Sequence, residues 1–283
     1  MRRLPFVISL LAALLAGPAL AIAAAGGPGG GTSPTDTNTD TTTGTTTPAD
    51  DDNPCTGDGA EDLRCPNLIM GKPEDVYAQR GANRTLLRGG NRIINVGQGP
   101  MELRGRRKSP LRAFRMAVTQ AIKKRSGGYL LRKTEGELFF KPIPGQYRYW
   151  KFVDAGALEI WTLDSAGEPL KRVRKSPKKV YCLRDLLRMS GPPSGSPRDR
   201  VYPACNQNPD QRRVTLGTSV GWIDRYPSSY YQQYVDVTGL EGEFAFVMIA
   251  DPNDHLAESD EDDNMSYTRV KLPATRDGYL PGY

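Results

Sequence analysis

The sequence contains a single histidine, His255, and this limits the chemistry that the chain can support. His255 lies in the segment ADPNDHLAESDEDDN, whose polar composition is typical of a turn. A Ser-His-Asp or Cys-His arrangement would have to use His255, and no Ser-centred elbow motif lies near it in the sequence. We therefore predict an exposed turn histidine rather than a catalytic one.

The acidic run after His255 offers oxygen ligands, which calcium prefers. Its members are Glu258, Asp260, Glu261, Asp262 and Asp263. The run lacks both the ligand spacing of an EF-hand and the glycine of that loop. We therefore expect a solvated turn here, and calcium binding is the alternative.

The stretch YRYWKFVDAG, residues 147–156, holds an unusual lysine. With the period-two alternation of a strand, Tyr149, Lys151 and Val153 share one face. A strand with one dry face has no ordinary use for a lysine between a tyrosine and a valine. The alternation predicts a strand, and the lysine marks that strand as a candidate site.

The first 21 residues have the features of a signal peptide. Arg2 and Arg3 precede an apolar run that ends in Ala19-Leu20-Ala21, a small-x-small cleavage signature. The run is short and interrupted by proline, so we expect no stable membrane span after cleavage. Residues 22–53 are rich in Thr, Gly, Pro and Asp, and this composition predicts a disordered stalk. We therefore expect a secreted or cell-envelope protein, with an uncleaved N-terminal anchor as the alternative.

The four cysteines also fit an exported chain. An even number of cysteines in such a chain indicates two disulfides. The local pairing, Cys55–Cys65 and Cys182–Cys205, is the simplest of the three possible connectivities. Neither pair has the C-x-x-C spacing, and one histidine cannot complete a zinc site, so we expect no zinc.

The formal net charge of +6 is unevenly distributed along the chain. The signal peptide contributes two positive charges and the stalk five negative charges, which leaves +9 for residues 54–283. A basic folded part favours an anionic partner, such as an envelope polymer or an acidic extracellular protein. No nucleic-acid-binding motif is present, and we expect no nucleic acid partner.

Short strand-like runs separated by Gly and Pro turns dominate residues 54–273, which we predict to form one domain followed by a tail over 274–283. The segment RAFRMAVTQAIKK fits both a strand and a helix, but the hairpin-like residues after it favour a strand. Only LRDLLRM, residues 183–189, predicts a helical turn. The fold class is therefore mainly β, an antiparallel sandwich or barrel with long loops and little helix.

Four segments, in this order, resemble the catalytic domain of the lysyl oxidase family in its shorter bacterial form. The first carries an N-x-G-x-G-P-x-E pattern at Asn95–Glu102, and the second is KKVYCLRD, residues 178–185. The third and fourth are GTSVGWIDRYPSSYYQQYVDVTGL and DPNDHLAESDEDDN. The resemblance covers most of residues 65–272 and implies the family's β-sandwich-like catalytic domain.

The resemblance also implies a chemistry. Members of this family are secreted copper amine oxidases, protein-lysine 6-oxidases, which convert the ε-amine of peptidyl lysine to an aldehyde and release ammonia and hydrogen peroxide. Their organic cofactor is lysine tyrosylquinone, made by a copper-dependent oxidation that cross-links a lysine to a tyrosine. Lys178 and Tyr226 match those two positions. Each also has an ordinary interpretation, a surface lysine among Lys171, Lys175 and Lys179 and a packed tyrosine.

The copper-binding strand is where this sequence departs from the family. The family's His-x-His-x-His corresponds to Tyr149, Lys151 and Val153, so all three ligands are replaced. Imidazole suits Cu(II), whereas a protonated amine and an alkyl side chain do not. We therefore expect neither copper nor the quinone, and expect Lys178 and Tyr226 to be vestigial. We further expect the Lys151 ammonium to lie over a ring such as that of Tyr149, or near a carboxylate such as Asp154 or Glu159.

The sequence thus favours a secreted, copper-free, lysyl oxidase-like pseudoenzyme that acts as a binding or structural domain at the cell envelope. Two alternatives stay open. One is an active amine oxidase with an altered metal site. The other is an unrelated β-sandwich adhesin or polymer-binding module, in which Lys178, Tyr226 and residues 149–153 have no reason to meet.

Overall fold

A computed structural model describes residues 53–110 and 114–273, together with the backbone of residues 278–279. The predicted signal peptide, residues 22–52 of the predicted stalk and most of the predicted tail lie outside these residues. Asn53 already belongs to the folded part, because it is buried and its side-chain amide donates to the carbonyl of Glu258 at 3.0 Å. Within the described residues, no helix is long and apolar enough to cross a membrane.

The described residues form antiparallel strands and one 3-10 helix of three residues, Ala60–Asp62. The strands are β1 (Leu63–Arg64), β2 (Leu68–Met70), β3 (Glu74–Arg80), β4 (Thr85–Asn95), β5 (Met101–Arg106), β6 (Arg115–Lys124), β7 (Tyr129–Pro142), β8 (Arg148–Val153), β9 (Gly156–Leu163), β10 (Pro169–Lys175), β11 (Val180–Tyr181), β12 (Leu187–Arg188), β13 (Arg213–Thr218), β14 (Trp222–Tyr226), β15 (Tyr234–Asp236), β16 (Gly242–Ala250), β17 (Met265–Leu272) and β18 (Gly278–Tyr279). The predicted fold class, mainly β with little helix, is therefore confirmed.

The strands form three sheets. The first has the order β11-β8-β7-β6-β5-β13, with β1 also paired to β6. The second has the order β10-β9-β16-β17, and the third has the order β12-β14-β4-β3-β18, with β2 and β15 also paired to β4. One large apolar cluster connects them, with members from each sheet such as Phe152, Phe246 and Leu87. A shared core of this kind is typical of a sandwich-like fold.

Strand β6 shows how the alternation selects a strand where the sequence was ambiguous. Met116 and Val118 point into the core with period two. Gln120, the polar exception in this pattern, also points inward and is buried. Its amide nitrogen donates to the carbonyl of Ala257 at 2.8 Å, and its carbonyl oxygen accepts from the N–H of Ala257 at 2.8 Å. Because both polar ends are paired, Gln120 can occupy a core position without a large desolvation cost.

The predicted helical turn at residues 183–189 is wrong, because this segment contains no helical residue and includes β12. The backbone N–H of Leu186 donates to the carbonyl of Ile223 at 3.1 Å, and that of Met189 to Gly221 at 3.0 Å. These donors are therefore used between segments and cannot form the i to i−4 bonds of a helix. Leu187 and Arg188 pair with Ile223 and Trp222 of β14 instead.

Both predicted disulfides, Cys55–Cys65 and Cys182–Cys205, are present, and no other cysteine exists in the chain. Disulfides of this kind persist in oxidising compartments, so they indicate an extracellular type of environment. The Cys182–Cys205 bridge closes a loop with a sequence separation of 23 residues. This loop forms one wall of the site described below.

The acidic run after His255 is not the fully solvated turn that its composition predicts. Asp260 and Asp262 are exposed, but Glu258 is completely buried. The Glu258 carboxylate accepts a hydrogen bond from the backbone N–H of Leu68, and burial raises its pKa well above the ordinary value. Burial also raises the pKa of the neighbouring Asp251 to about 7. Glu258 therefore ties the turn to β2, a long-range contact that composition does not reveal.

Candidate functional site

Strand β14 supplies two side chains of the candidate site from one face. Asp224 and Tyr226 are two residues apart, so they project to the same side of the strand, and both are buried. The pairing of β14 with β4 fixes their register, with Asp224 opposite Ile93 and Tyr226 opposite Asn91. Strand β14 therefore positions a carboxylate and a phenol side by side in the interior.

Lys178 lies in the short loop between β10 and β11, and it is buried rather than on the surface. The Ser176 hydroxyl accepts a hydrogen bond from the Lys178 backbone N–H at 3.0 Å, which fixes the loop. The Lys178 Nζ lies 3.9 Å from the ring centroid of Tyr226, 4.5 Å from that of Tyr181 and 4.6 Å from that of Tyr230. Three tyrosine rings thus surround this amine at cation–π distances.

Lys151 approaches the same tyrosines from β8. Its side chain is only 3% exposed, and its Nζ donates a hydrogen bond to the Tyr230 hydroxyl at 3.0 Å. The Nζ also lies 5.6 Å from the ring centroid of Tyr226 and 5.8 Å from that of Tyr149. A lysine from the first sheet therefore meets a tyrosine from the third sheet.

Asp224 is the buried negative charge at this site. Burial raises its pKa to about 6, and the attraction of Arg184 and Lys151 and a hydrogen bond from Tyr226 oppose this rise. The carboxylate also accepts a hydrogen bond from the backbone N–H of Leu183 at 3.1 Å. At neutral pH the group is therefore mostly ionised and faces two lysines.

Burial lowers the pKa of both lysines. The pKa of Lys151 falls to about 8, because its loss of hydration outweighs the attraction of Asp224. The pKa of Lys178 falls well below the ordinary value, first through burial and second through the repulsion of Lys151. Both amines are therefore easier to deprotonate than a surface lysine.

The hydroxyl of Tyr226 is also held in place. It accepts a hydrogen bond from the backbone N–H of Cys182 at 2.6 Å. Burial, followed by the nearby Asp224 carboxylate, raises the pKa of Tyr226 well above the ordinary value. The phenol therefore stays protonated, and the disulfide loop is anchored directly to the site.

A cavity of about 280 Å³ opens beside Tyr226, and we refer to it as the Tyr226 cavity. Its walls come from β8, β14, the disulfide loop and the turn after β14. The lining residues are Gln146, Tyr149, Lys151, Cys182, Arg184, Leu186, Ala204, Cys205, Gln207, Arg225, Tyr226, Pro227 and Tyr230. Among these described residues three are cationic and none is acidic.

The structure brings together most of the residues that the sequence singled out. Lys178 packs on Tyr226, while Tyr149 and Lys151 line the Tyr226 cavity. Val153 does not line it; this residue ends β8 and pairs with Val180 of β11. The ordinary interpretation of Lys178 as a surface lysine is wrong, because the loop turns its side chain into the core.

The prediction that Lys151 lies near an aromatic ring is confirmed, but the predicted carboxylates, Asp154 and Glu159, are not the one that attracts it. The ammonium lies near the ring of Tyr149, as expected, but the carboxylate that attracts it is Asp224. Glu159 instead accepts hydrogen bonds from Arg172 at 3.0 Å and from the indole of Trp161 at 2.8 Å. Proximity in the sequence favoured the wrong partner, because the true partner comes from β14 of another sheet.

His255 takes no part in this site. It is half-buried and lines a separate surface groove, together with residues such as Arg132 and Gly136. Its backbone carbonyl accepts a hydrogen bond from Arg132 at 3.0 Å. The expectation of an exposed turn histidine is therefore only partly met.

Sequence reasoning missed three participants, namely Asp224, Arg184 and Tyr230. The Asp-x-Tyr spacing contained a usable signal for Asp224, since residues i and i+2 of a strand share a face. The other two lie in irregular segments, Arg184 in the disulfide loop and Tyr230 in the turn after β14. No periodicity predicts the direction of side chains in such segments.

No protein-family model matches the chain, and no curated protein matches it. The resemblance implies a copper site, and the residues present decide whether copper fits there. Within the described part of the chain, no group of three or more His, Cys, Asp or Glu side chains is arranged to hold a metal ion. At the three corresponding positions, Tyr149, Lys151 and Val153 provide no imidazole, and the central one carries an ammonium. These residues do not fit copper.

The lowered pKa of Lys151 predicts a distinctive pH dependence for its chemical modification. Only the neutral amine reacts in reductive methylation by formaldehyde, so the initial rate at Lys151 should rise with pH and level off with a midpoint near 8. Exposed lysines titrate near 10.4 in general, and their rates should still be rising at pH 9.5. Peptide mass spectrometry after short exposures to the reagent measures the methylation rates of Lys151 and of the exposed lysines. A Lys151 rate that parallels the exposed lysines would contradict the burial argument.

Proposed function

We propose that the chain is a secreted, lysyl oxidase-like protein that works without copper, as a binding or structural domain at the cell envelope. The observation that carries this proposal is the buried Lys151 ammonium beside Tyr226. It occupies the strand position of the central copper ligand in the family that the sequence resembles. The Lys151 ammonium supplies a positive charge where the family has a copper ion. Because this residue replaces the central ligand, the strand cannot bind copper.

The consequence for catalysis follows from the family's chemistry. The quinone of these oxidases forms by a copper-dependent oxidation of the tyrosine, so without copper Tyr226 stays an ordinary tyrosine. The cavity also disfavours the family's substrate, because Lys151 and Arg184 both line it. Two unit positive charges 4 Å apart repel by about 4 kcal/mol at an effective dielectric constant of about 20. A peptidyl lysine ammonium would meet this repulsion on entry.

The position of Lys178 supports the resemblance itself. Its Nζ lies 3.9 Å from the ring of Tyr226 although the two residues are far apart in sequence. An unrelated β-sandwich adhesin gives no reason for this contact between the two residues that match the quinone pair. The Asn95–Glu102 motif also has a structural role, because Asn95 holds its own turn and the end of β13 together. The Asn95 amide donates to the carbonyls of Gly99 at 2.9 Å and of Thr218 at 2.8 Å.

The same contact favours a second candidate function, an amine oxidase with an altered metal site. A lysine already packed on the tyrosine is the arrangement that a cross-linked cofactor requires. This candidate needs a metal from ligands other than those at positions 149, 151 and 153. It also needs a route for a cationic substrate past Lys151 and Arg184.

A direct experiment separates the two candidates. Purified protein is incubated with Cu(II), freed of excess metal, and examined for bound copper, for quinone absorbance and for peroxide release from lysine-containing peptides. We expect substoichiometric copper, no quinone band and no peroxide above the level of heat-denatured protein. A K151H variant treated identically reports whether one imidazole restores copper binding. Stoichiometric copper together with a quinone band in the unaltered protein would overturn the proposal.

The partner is proposed from charge and location. The folded part is strongly basic, and its two disulfides are typical of an extracellular type of environment. We propose an extracellular protein or an anionic envelope polymer as partner, and we propose that the N-terminal stalk presents the domain to it. A nucleic acid is not proposed.

A further inference from the structure

We propose that the Tyr226 cavity binds an oxyanion, a carboxylate or a phosphate group, through Lys151 and Arg184. This inference rests on the proposed function, because it names the chemistry of the ligand that a copper-free cavity would take. It reverses the charge of the ligand relative to the amine substrate of the family.

The first argument is the charge of the cavity wall. Lys151, Arg184 and Arg225 line it, and no acidic residue does so among the described residues. The Arg225 guanidinium is already paired, at 3.2 Å from Glu74 and 3.8 Å from Asp75. Lys151 and Arg184 are therefore the two cations available to a ligand.

The second argument is the supply of unused hydrogen-bond donors. The Lys151 ammonium has three N–H donors, and the only side-chain partner it has among the described residues is the Tyr230 hydroxyl. Arg184 has no hydrogen bond or ion pair from its side chain within the same described residues, although five N–H donors are available to it. Both side chains line the same cavity, so their donors are available to one ligand. Charged donors that converge on a cavity without partners are suited to an oxyanion.

Asp224 does not cancel this attraction. It is only 1% exposed, does not line the cavity, and uses its oxygens for the N–H of Leu183 and the hydroxyl of Tyr226. Its single negative charge offsets one of the two cations. At least one positive charge therefore remains at the cavity, which suits an anionic group.

The cavity also has the size and the neutral donors for a small organic anion. A volume of about 280 Å³ exceeds what a bare inorganic ion requires and is close to the lower limit of small-molecule sites. Gln146, Gln207 and the hydroxyl of Tyr149 line it and offer hydrogen bonds to the body of a ligand. The rings of Tyr226 and Tyr230 provide apolar surface beside them. The ligand is thus an oxyanion on a short polar chain.

The test is titration calorimetry of the full chain with four probes. Sodium N-acetylglutamate represents a carboxylate, glycerol 1-phosphate represents a phosphate, inorganic phosphate reports the anion alone, and n-butylamine represents the amine substrate. We expect saturable binding of at least one anion and none of n-butylamine. The stronger of the two organic probes identifies the source of the oxyanion.

Two variants assign the site. R184Q and K151M should each weaken binding of the preferred anion by about tenfold or more, the size of one lost charge-assisted hydrogen bond. K133Q, which removes a charge outside this cavity, should leave the affinity within about twofold. Circular dichroism and thermal unfolding confirm that each variant is folded, and R184Q carries the test if K151M does not fold.

The outcomes are decisive in both directions. Saturable anion binding that R184Q weakens supports the inference. Absence of saturable binding by every anion, or equal weakening by R184Q and K133Q, overturns it. The copper and peroxide assays of the same preparation report on the proposed function separately. An inactive, copper-free protein that binds no anion therefore refutes this inference alone.

Discussion

Replacing Asp185 by alanine should lower the free energy of unfolding by about 4 kcal/mol, because one buried carboxylate organises the whole disulfide loop. Asp185 is fully buried and accepts hydrogen bonds from the backbone N–H groups of Val201 at 2.8 Å and Tyr202 at 3.1 Å. It also accepts from the Ser219 backbone N–H at 2.7 Å and hydroxyl at 2.8 Å. Each donor left unpaired in the interior costs about 1–3 kcal/mol.

Urea unfolding with the disulfides intact measures this loss. D199A is the matched control, because Asp199 lies in the same loop but is exposed, and its replacement should change stability by less than about 0.5 kcal/mol. A loss below about 1 kcal/mol in D185A would show that the loop holds its shape without the carboxylate. Because this loop carries Arg184 into the Tyr226 cavity, D185A should also weaken anion binding.

Replacing Asp224 by asparagine should raise the free energy of unfolding by about 3 kcal/mol near pH 7, because it removes a carboxylate that is harder to ionise in the folded chain than in the unfolded one. Burial raises the pKa of Asp224 to about 6 despite the attraction of Lys151 and Arg184, and each pKa unit corresponds to about 1.4 kcal/mol. Asparagine keeps the shape and can still accept a hydrogen bond from the Leu183 N–H. The gain therefore reports mainly on charge.

The raised pKa of Asp224 determines the pH range in which this gain appears. Below about pH 4 the carboxyl is protonated in both the folded and the unfolded chain, so asparagine mimics it. Between about pH 4 and 6 the carboxyl ionises in the unfolded chain but not in the folded one, and the stability of the unaltered protein falls relative to that of D224N. The gain in D224N should therefore be small at pH 4, grow up to about pH 6 and keep its full size at pH 7.

Unfolding free energies of the protein and of D224N at pH 4, 6 and 7 test this dependence. D62N changes an exposed aspartate and serves as control at each pH. The single variant K151M and the double variant K151M/D224N complete the cycle that gives the coupling between the two sites. A D224N variant that is no more stable than the unaltered protein at pH 7 would mean that the hydrogen bonds of Asp224 outweigh the cost of burying its charge. Reductive methylation of D224N should also show a Lys151 midpoint below 8, since an attractive charge has been removed.

Much of the local structure could be predicted from the sequence. The alternation over residues 149–153 belongs to strand β8, and RAFRMAVTQAIKK contains strand β6, followed by the hairpin partner β7. These predictions succeed because alternation of apolar side chains and the backbone demands of turns are local properties. The disulfide pairing succeeded for the same reason, since each bridge joins the nearest cysteine.

The failures all involve long-range contacts. The segment at residues 183–189 has helical spacing, but its backbone donors are used by β14 and its neighbours. The composition around Glu258 predicts a solvated acidic run, but its side chain is buried and accepts a hydrogen bond from the N–H of Leu68. In each case a partner from a distant part of the chain provided hydrogen bonds that outweigh the local preference.

The sequence by itself determined that residues 149–153 form a strand with Tyr149 and Lys151 on one face, and its resemblance to the lysyl oxidase family drew attention to Lys178 and Tyr226. It could not determine that these residues meet, nor that Asp224 and Arg184 set the charge of their cavity. Lys151 is on the first sheet, Tyr226 is on the third, and Lys178 is in a loop that leaves the second. Periodicity orients a side chain only relative to its own strand, so the packing of the three sheets alone decided which side chains share the interior and which charge they present.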